Sequence, residues 1–441
     1  MGLRGQTLHQ HLARQAAERC FCGTLTCGLG VCVLRKPGFR QKTALLTVDF
    51  GSLDLALDVP GGRGRRVLPA GTAHFLEHRM FEKDGGDITE LFGQLGAEVD
   101  ASTAFTATTF QFTCSDFFAP NLELLLRLCF APHLTAEGVA REREVIAREL
   151  QLYGDSLEWV AFLNGLDSVY PGHPLGMDIA GTPESLAAID LEVLRTCHRH
   201  FYHPANATLL VCGDVEPQQV ADLVDGWLAR ERIGAGAQPA RPRRLPPAQA
   251  RPVRRRAVLP VVQPHLLLVW RDQRQGLRGR PLLRRELALE LALDGLFGWS
   301  SRFFEEAYRT GLIDASAFGF EVNAETTFCA CLLGGDTRHP RRLEEAVAAE
   351  LEQGRSNGLL EGEFGRIRRK AYGHLLQTFD QVESCTNMLQ AAVTCGAGPF
   401  DYLAAYEELT VDDVIDCLKT CLDPGRYGVS AVDPAPTRDR P

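Results

Sequence analysis

Two histidines four residues apart pose the chemical question. They lie in Gly71-Thr72-Ala73-His74-Phe75-Leu76-Glu77-His78-Arg79-Met80-Phe81, a stretch without proline and, after Gly71, without glycine until Gly85. The spacing predicts an amphipathic helix that presents both imidazoles on one face, because positions four apart stack one above the other. Two such nitrogens can converge on one divalent ion at about 2.0–2.1 Å, the distance zinc takes from histidine. Glu77, directly before the second histidine, can address a water on that ion without being a ligand. A hydrolytic zinc site needs a third protein ligand and a fourth position left open. Carboxylates are available on a charge-rich helix expected over residues 136–153, where Glu142 and Glu149 share a face and Glu144 lies round the cylinder. A charged helix face is ordinarily wet surface, so those carboxylates alone identify no ligand.

The elements that must position these groups follow from patterning. Short β-rich runs are expected at 24–34 and 44–50, ahead of the histidine helix, and at 98–101 and 105–114 after it. The order Asp87-Ile88-Thr89-Glu90 has the form of a capping box opening a short helix. Helices are expected over 121–130, 136–153, 157–169, 182–189 and 191–201, then a strand at 207–212 and a helix at 218–230. Residues 1–18 read as a polar lead-in, and the glycines at 61–64 as a turn. Residues 234–256 hold five prolines and seven arginines and read as an exposed linker. Beyond it the order repeats: strands near 256–260 and 266–270, a helix over 281–298, strands at 313–322 and 327–333, helices over 340–353, 361–378 and 380–392, and a strand at 427–432. The reading is a duplicated α+β unit with halves at 19–233 and 257–435, the second without an H-x-x-E-H.

Composition narrows the function. A chain of 441 residues is too long for one core. Hydrophobic residues at 45% and charged ones at 23% are ordinary for a globular protein. A net charge of −9, with no basic stripe interleaved with aromatics, argues against nucleic acid as partner. No uncharged apolar run long enough for a membrane span occurs, and the N-terminus lacks the apolar core of a secretory signal, so a cytoplasmic location is expected. The fourteen cysteines include no C-x-x-C pair. They are expected to be reduced and buried as small hydrophobes. His173 and His203, in proline-flanked loops, are expected to be structural, and Trp299, Phe303 and Phe304 to belong to the core.

H-x-x-E-H, with the second glutamate of an E-x6-E pair 71 residues after His78, resembles the pitrilysin/insulinase-type (M16) metallopeptidases, the inverted zincins. The resemblance extends through Gly96-Ala97, Asp100-Ala101, Gly172–Gly176, Phe201–Asn206 and Gly298–Arg302. His74–Lys83 (HFLEHRMFEK), Asp178–Glu184 (DIAGTPE) and Glu305–Asp314, which ends Gly311-Leu312-Ile313-Asp314, are similar to its bacterial YfmH-like branch. The family implies two homologous, LuxS/metallohydrolase-like α+β halves, each a mixed, mostly antiparallel sheet covered by helices, joined by a linker into a clam shell. It implies one Zn²⁺ per chain held by His74, His78 and Glu149, with Glu77 as general base and Glu142 supporting a ligand. Zinc would bring the pKa of its water from about 15.7 to roughly 7. A peptide substrate is expected to add as a strand to the edge around 98–101. Asp100, Ala101, Tyr308 and Asp314 are the substrate-binding positions carried over. Three of them depart from the family pattern: Asp100 stands for an asparagine, and Tyr308 and Asp314 for the usual arginine and tyrosine. The resemblance thus implies a zinc endopeptidase acting on peptides or unfolded segments in an enclosed chamber. It also implies a homo- or heterodimer with a chain of the same fold lacking the motif. The alternative it carries is a non-catalytic scaffold subunit.

Overall fold

Two sheets organise the chain, seen in a computed structural model that describes residues 8–14, 16–58, 64–237, 239, 243, 246, 251–358 and 361–436. The first has seven strands in the spatial order His9–Ala13, Glu18–Thr24, Gly30–Arg35, Ala207–Gly213, Lys42–Val48, Thr108–Cys114, Ala97–Thr103. The second has five, ordered Arg254–Leu259, Gly428–Pro434, His265–Arg271, Cys329–Asp336, Gly319–Ala324. Gly30–Arg35 runs parallel to Ala207–Gly213, and every later neighbour in that sheet is antiparallel. Arg254–Leu259 and its followers repeat that sequence of directions strand for strand. The duplication read from the order of elements is therefore a duplication of topology. Each half is a mixed, mostly antiparallel sheet covered by helices.

Each half has its own apolar core. One gathers Phe50, Phe75, Phe110, Leu126 and Phe201, the other Trp270, Leu289, Phe297 and Leu351. The halves meet along two larger seams, besides a small cluster in which Ala161 packs on Leu259 and Val432. Cys20, Leu34 and Leu210 of the first sheet pack on Val382, Met388 and Leu389. Phe105, Leu166 and Tyr170 pack on Val269, Phe328 and Leu332. Large apolar groups buried to this extent contribute about 1.5–3 kcal/mol each, so the clam shell is held by hydrophobic contact across both seams.

Several expectations change. The run read as one strand at 24–34 is a hairpin, with Gly28 at φ 90° and a Leu25 N–H to Leu29 O bond closing the turn. The polar lead-in contributes a strand, His9–Ala13, paired with Glu18–Thr24 at the sheet's edge. Ten of the 23 residues of the expected linker (238, 240–242, 244–245 and 247–250), and 61–63 of the glycine turn, lie outside the described residues. The linker's last three arginines, Arg254 to Arg256, already belong to a strand. Cys22 and Cys32 stand opposite each other in the hairpin and are joined by a disulfide, against the reduced state expected. Eleven of the twelve remaining cysteines are buried, with Cys27 half-buried, as small core hydrophobes should be. Phe303 and Phe304 are core, but Trp299 is 78% exposed, stacked on the Phe304 ring from outside. No helix among the described residues is long and apolar enough to cross a membrane.

Candidate metal centre

The histidine helix, Thr72–Phe81, starts at Gly71, whose φ of 85° lies in the left-handed region. A Cβ there would sit 2.3 Å from the Ala180 carbonyl oxygen, so only glycine lets the helix begin against that loop. Phe75, Leu76 and Met80 turn into the core with no exposed surface. The opposite face carries His74, Glu77 and His78. Gly71→Ala is expected to cost about 1–3 kcal/mol, the range for strain at such backbone sites, read as a lower denaturant midpoint.

The second supporting element is the helix Ala136–Asp155, capped by Thr135 Oγ1, which accepts from Gly138 N at 3.0 Å. It crosses the histidine helix so that Glu149 reaches both imidazoles. Glu149 Oε1 lies 3.8 Å from His74 Nε2, and Oε2 lies 3.5 Å from His78 Nε2. Groups two turns before Glu149 on that helix and one turn after it support the contact. His78 Nδ1 donates to Glu142 Oε1 at 3.0 Å, and Tyr153 donates its hydroxyl to Glu149 Oε1 at 2.6 Å. The His78 bond leaves the Nε2 lone pair directed at Glu149.

Do these three residues suit a metal ion? Donors at about 2.1 Å in a tetrahedral arrangement lie about 3.4 Å from one another. The 3.5 Å from His78 Nε2 to Glu149 Oε2 is close to that, His74 Nε2 lies 3.8 Å from the other oxygen of the same carboxylate, and one donor atom from each of the three residues falls within 4.8 Å of the others. Glu149 Oε2 is buried and has no hydrogen-bond partner, although His78 Nε2 faces it. Two acceptors facing each other across a gap, one of them orphaned, form a poor hydrogen-bonding pair and a good ligand pair. The donor set of two imidazoles and a carboxylate fits a divalent ion of the zinc type. One other group of metal-capable donors occurs among the described residues, Cys20, Cys22 and Cys32, and there two of the sulfurs are already bonded to each other.

Electrostatics separate the roles. Burial, aided by His78, pulls the His74 imidazole down to about 4, leaving it neutral as a ligand must be. At His78 burial also pulls down, but the Glu142 bond and the flanking carboxylates outweigh it and leave the imidazole above its ordinary value. Glu77 is 7% exposed, and burial pushes its carboxyl up to about 7, against the opposing pull of Thr103 and His78. Thr103, at the end of the edge strand, donates to Glu77 Oε2 at 2.6 Å. Burial opposes the ionised form of Glu142, yet bonds from His78 and Arg79 hold its carboxyl below the usual range. Glu142→Gln is expected to weaken metal affinity about 10–100-fold, the usual effect of losing a ligand's carboxylate partner. Competition against a chromophoric chelator reads that loss.

The remaining sequence candidates lie at two places. Asp100 and Ala101 sit on Ala97–Thr103, the outermost strand, which among the described residues is paired on one side only, opposite Gln111 and Phe110. Asp100 is near enough to help raise Glu77. Tyr308 and Asp314 are in the second half, and no hydrogen bond or ion pair among the described residues joins them to the histidines or glutamates. Tyr308 is 62% exposed, and Asp314 Oδ1 accepts from Ser316 N and Oγ in a turn. His173 Nδ1 accepts from Leu175 N and His203 Nε2 bonds the His200 carbonyl, both structural duties.

Three participants escaped sequence reasoning. Arg79, 2% exposed, pairs with Glu82 and with Glu142 Oε2, and its guanidinium fills the space a side chain at Gly138 would need. Its signal was an arginine on the core side of the helix, a charge that must find partners when buried. Thr103 gave no signal. Tyr153 did, being four residues after Glu149 on the same helix face.

Comparisons with known proteins bear on the family and the fold. The family model described as Insulinase (Peptidase family M16) matches residues 56–183, and that described as Peptidase M16 inactive domain matches residues 188–371. A Bacillus subtilis (strain 168) protein named uncharacterized zinc protease YmfH is 32% identical over 427 residues, covering 95% of this chain and 98% of its own. It represents the branch expected from the sequence, with the letters of its name in the order YmfH. The uncharacterized zinc protease Rv2782c of Mycobacterium tuberculosis (strain ATCC 25618 / H37Rv) is 25% identical over 425 residues, 90% of this chain and 91% of its own. Among solved structures, one from Alicyclobacillus acidocaldarius, described as an M16-like peptidase, superposes with a TM-score of 0.89 at 30% identity. That match covers 99% of this chain and 100% of the other. Pitrilysin shares the fold with a TM-score of 0.71 at 15% identity, the match covering 97% of this chain and 47% of pitrilysin.

Proposed function

Because the chain belongs to the insulinase-type M16 peptidase family, in its YmfH-like branch, we propose that it is a zinc-dependent endopeptidase that cleaves peptides or unfolded segments in an enclosed chamber. The observation that carries this is the convergence of His74, His78 and Glu149, with Glu77 beside them and an unpaired strand edge adjoining. Zinc, when bound there, would polarise the scissile carbonyl and supply an activated water. The residues of the chain do the rest. Glu77, dry and poised near neutrality, takes up a proton and delivers it to the leaving amine. Thr103 fixes the Glu77 carboxyl through Oε2 and leaves Oε1 for that transfer. The free edge of Ala97–Thr103 offers main-chain groups to an extended peptide, placing its backbone next to Glu77, with Asp100 and Ala101 in contact and Tyr308 and Asp314 contributing from the second half.

The catalytic half is assigned to residues 19–233 and the motif-free half to 257–435, with 234–256 joining them. Among the described residues the second half holds no group of metal-capable donors, and Tyr308 and Asp314 replace the residues the family uses there. A partner of the same fold, in a homo- or heterodimer, completes the peptide site in this reading, and the location is cytoplasmic. The test is metal analysis combined with cleavage of a peptide library by the purified chain. One zinc per chain and turnover that disappears on chelation support the reading. A chain that binds zinc without turnover, alone and with any motif-free paralogue, points to the scaffold role instead.

A further inference from the structure

We propose that Tyr153 is a positioning residue for Glu149, and that Trp159 and Asp178 tie it to the start of the histidine helix. The inference rests on the zinc reading above and deepens it. A carboxylate has two equivalent oxygens, and free rotation would let either turn to the ion. Here Tyr153 breaks the equivalence. Its hydroxyl occupies Glu149 Oε1 at 2.6 Å, while Oε2 is left without a hydrogen bond, 3.5 Å from His78 Nε2.

The phenol is itself held. Its ring lies 5.5 Å from the Trp159 ring, and Trp159 Nε1 donates to Asp178 Oδ2 at 2.6 Å. The other oxygen of Asp178 accepts from Ala180 N at 2.8 Å. Ala180 in turn presents its carbonyl to Gly71, where the histidine helix begins, and Gly181 packs on the Ala70 carbonyl from the other side. The contacts close a loop: His74 and His78, back along their helix to Gly71, across to Ala180 and Asp178, through Trp159 to Tyr153, and on to Glu149. Two ligands on one helix and a third on another are thereby held at a fixed separation. That gives the Asp178–Thr182 segment a purpose which ligation alone does not. If Tyr153 merely filled space beside Trp159, its ring would matter and its hydroxyl would not.

Tyr153→Phe separates the two, because it keeps the ring and removes one oxygen. The experiment measures Zn²⁺ affinity of the full chain by competition with a chromophoric chelator and the visible absorption of the Co²⁺-loaded protein, with the unfolding temperature of the metal-free protein as control. The expected result is unchanged metal-free stability, zinc bound about 10–100-fold more weakly and an altered Co²⁺ spectrum. Trp159→Phe, which loses only the indole N–H and part of the ring, should shift both readouts in the same direction by less. Tyr153→Phe with the affinity and spectrum of the wild type overturns the proposal. If that variant does not fold, a Trp159→Phe protein matching the wild type in both readouts overturns it equally. A wild-type chain that takes up no zinc sinks the site reading and this inference together, whereas zinc uptake unaltered by Tyr153→Phe sinks this inference alone.

Discussion

Glu77→Gln is expected to lower kcat for peptide hydrolysis by about 10²–10⁴-fold, the usual share of a general acid–base, while zinc stays bound. Glutamine has nearly the same shape and can still accept the Thr103 hydrogen bond now made to Glu77 Oε2. It cannot take up a proton. Glu77 is not among the three groups whose donor atoms converge, so metal content should be one per chain in both proteins. KM should change little, because the substrate backbone is held by the strand edge. Steady-state cleavage of a fluorogenic peptide together with metal analysis reads both quantities. Full turnover in Glu77→Gln would remove Glu77 from the mechanism. If the chain were a scaffold, the substitution would leave its cellular role untouched.

Glu149→Ala is expected to go further and remove the metal itself, taking hydrolysis to background. Two imidazoles on one helix are then the only ligands, and catalytic zinc sites need three. The loss should exceed the about 10–100-fold weakening expected of Glu142→Gln, which leaves all three ligands in place. The order of the two variants is the informative result. Both glutamates lie on Ala136–Asp155 and are only partly exposed, so neither differs from the other simply as a surface charge. Equal zinc affinity in Glu149→Ala and wild type would show that the carboxylate is a spectator. Metal analysis after dialysis against a weak chelator, with peptide hydrolysis alongside, makes the comparison.

How much of this site the sequence disclosed depended on the range of each contact. His74, Glu77 and His78 were legible because a single helix fixes their relations, and helical geometry is known in advance. Glu149 and Glu142 could be placed on a common face, but their approach to the histidines is a packing event between two helices. Nothing local encodes it; only the resemblance to a family singled them out. Arg79 and Thr103 act across 63 and 26 residues of chain, and reading them needed the folded contacts. The second half was legible as a repeat because its elements recur in the same order, and the sheets then proved to repeat in direction too. The hairpin at Glu18–Arg35 was missed since its turn, Leu25 to Leu29, is mostly apolar and reads like strand; Gly28 and Gly30 were the overlooked signals. Trp299 shows the limit of periodicity. Its spacing matched Phe303, yet it lies ahead of the helix Arg302–Arg309 and so does not share its buried face.

The most direct test of the central claim is anomalous X-ray scattering at the zinc edge from crystals of the zinc-loaded chain. One peak per chain is expected, in bonding contact with His74 Nε2, His78 Nε2 and a Glu149 oxygen and no fourth protein atom. A crystal with no peak there, or with zinc only at Cys20, Cys22 and Cys32, would contradict it.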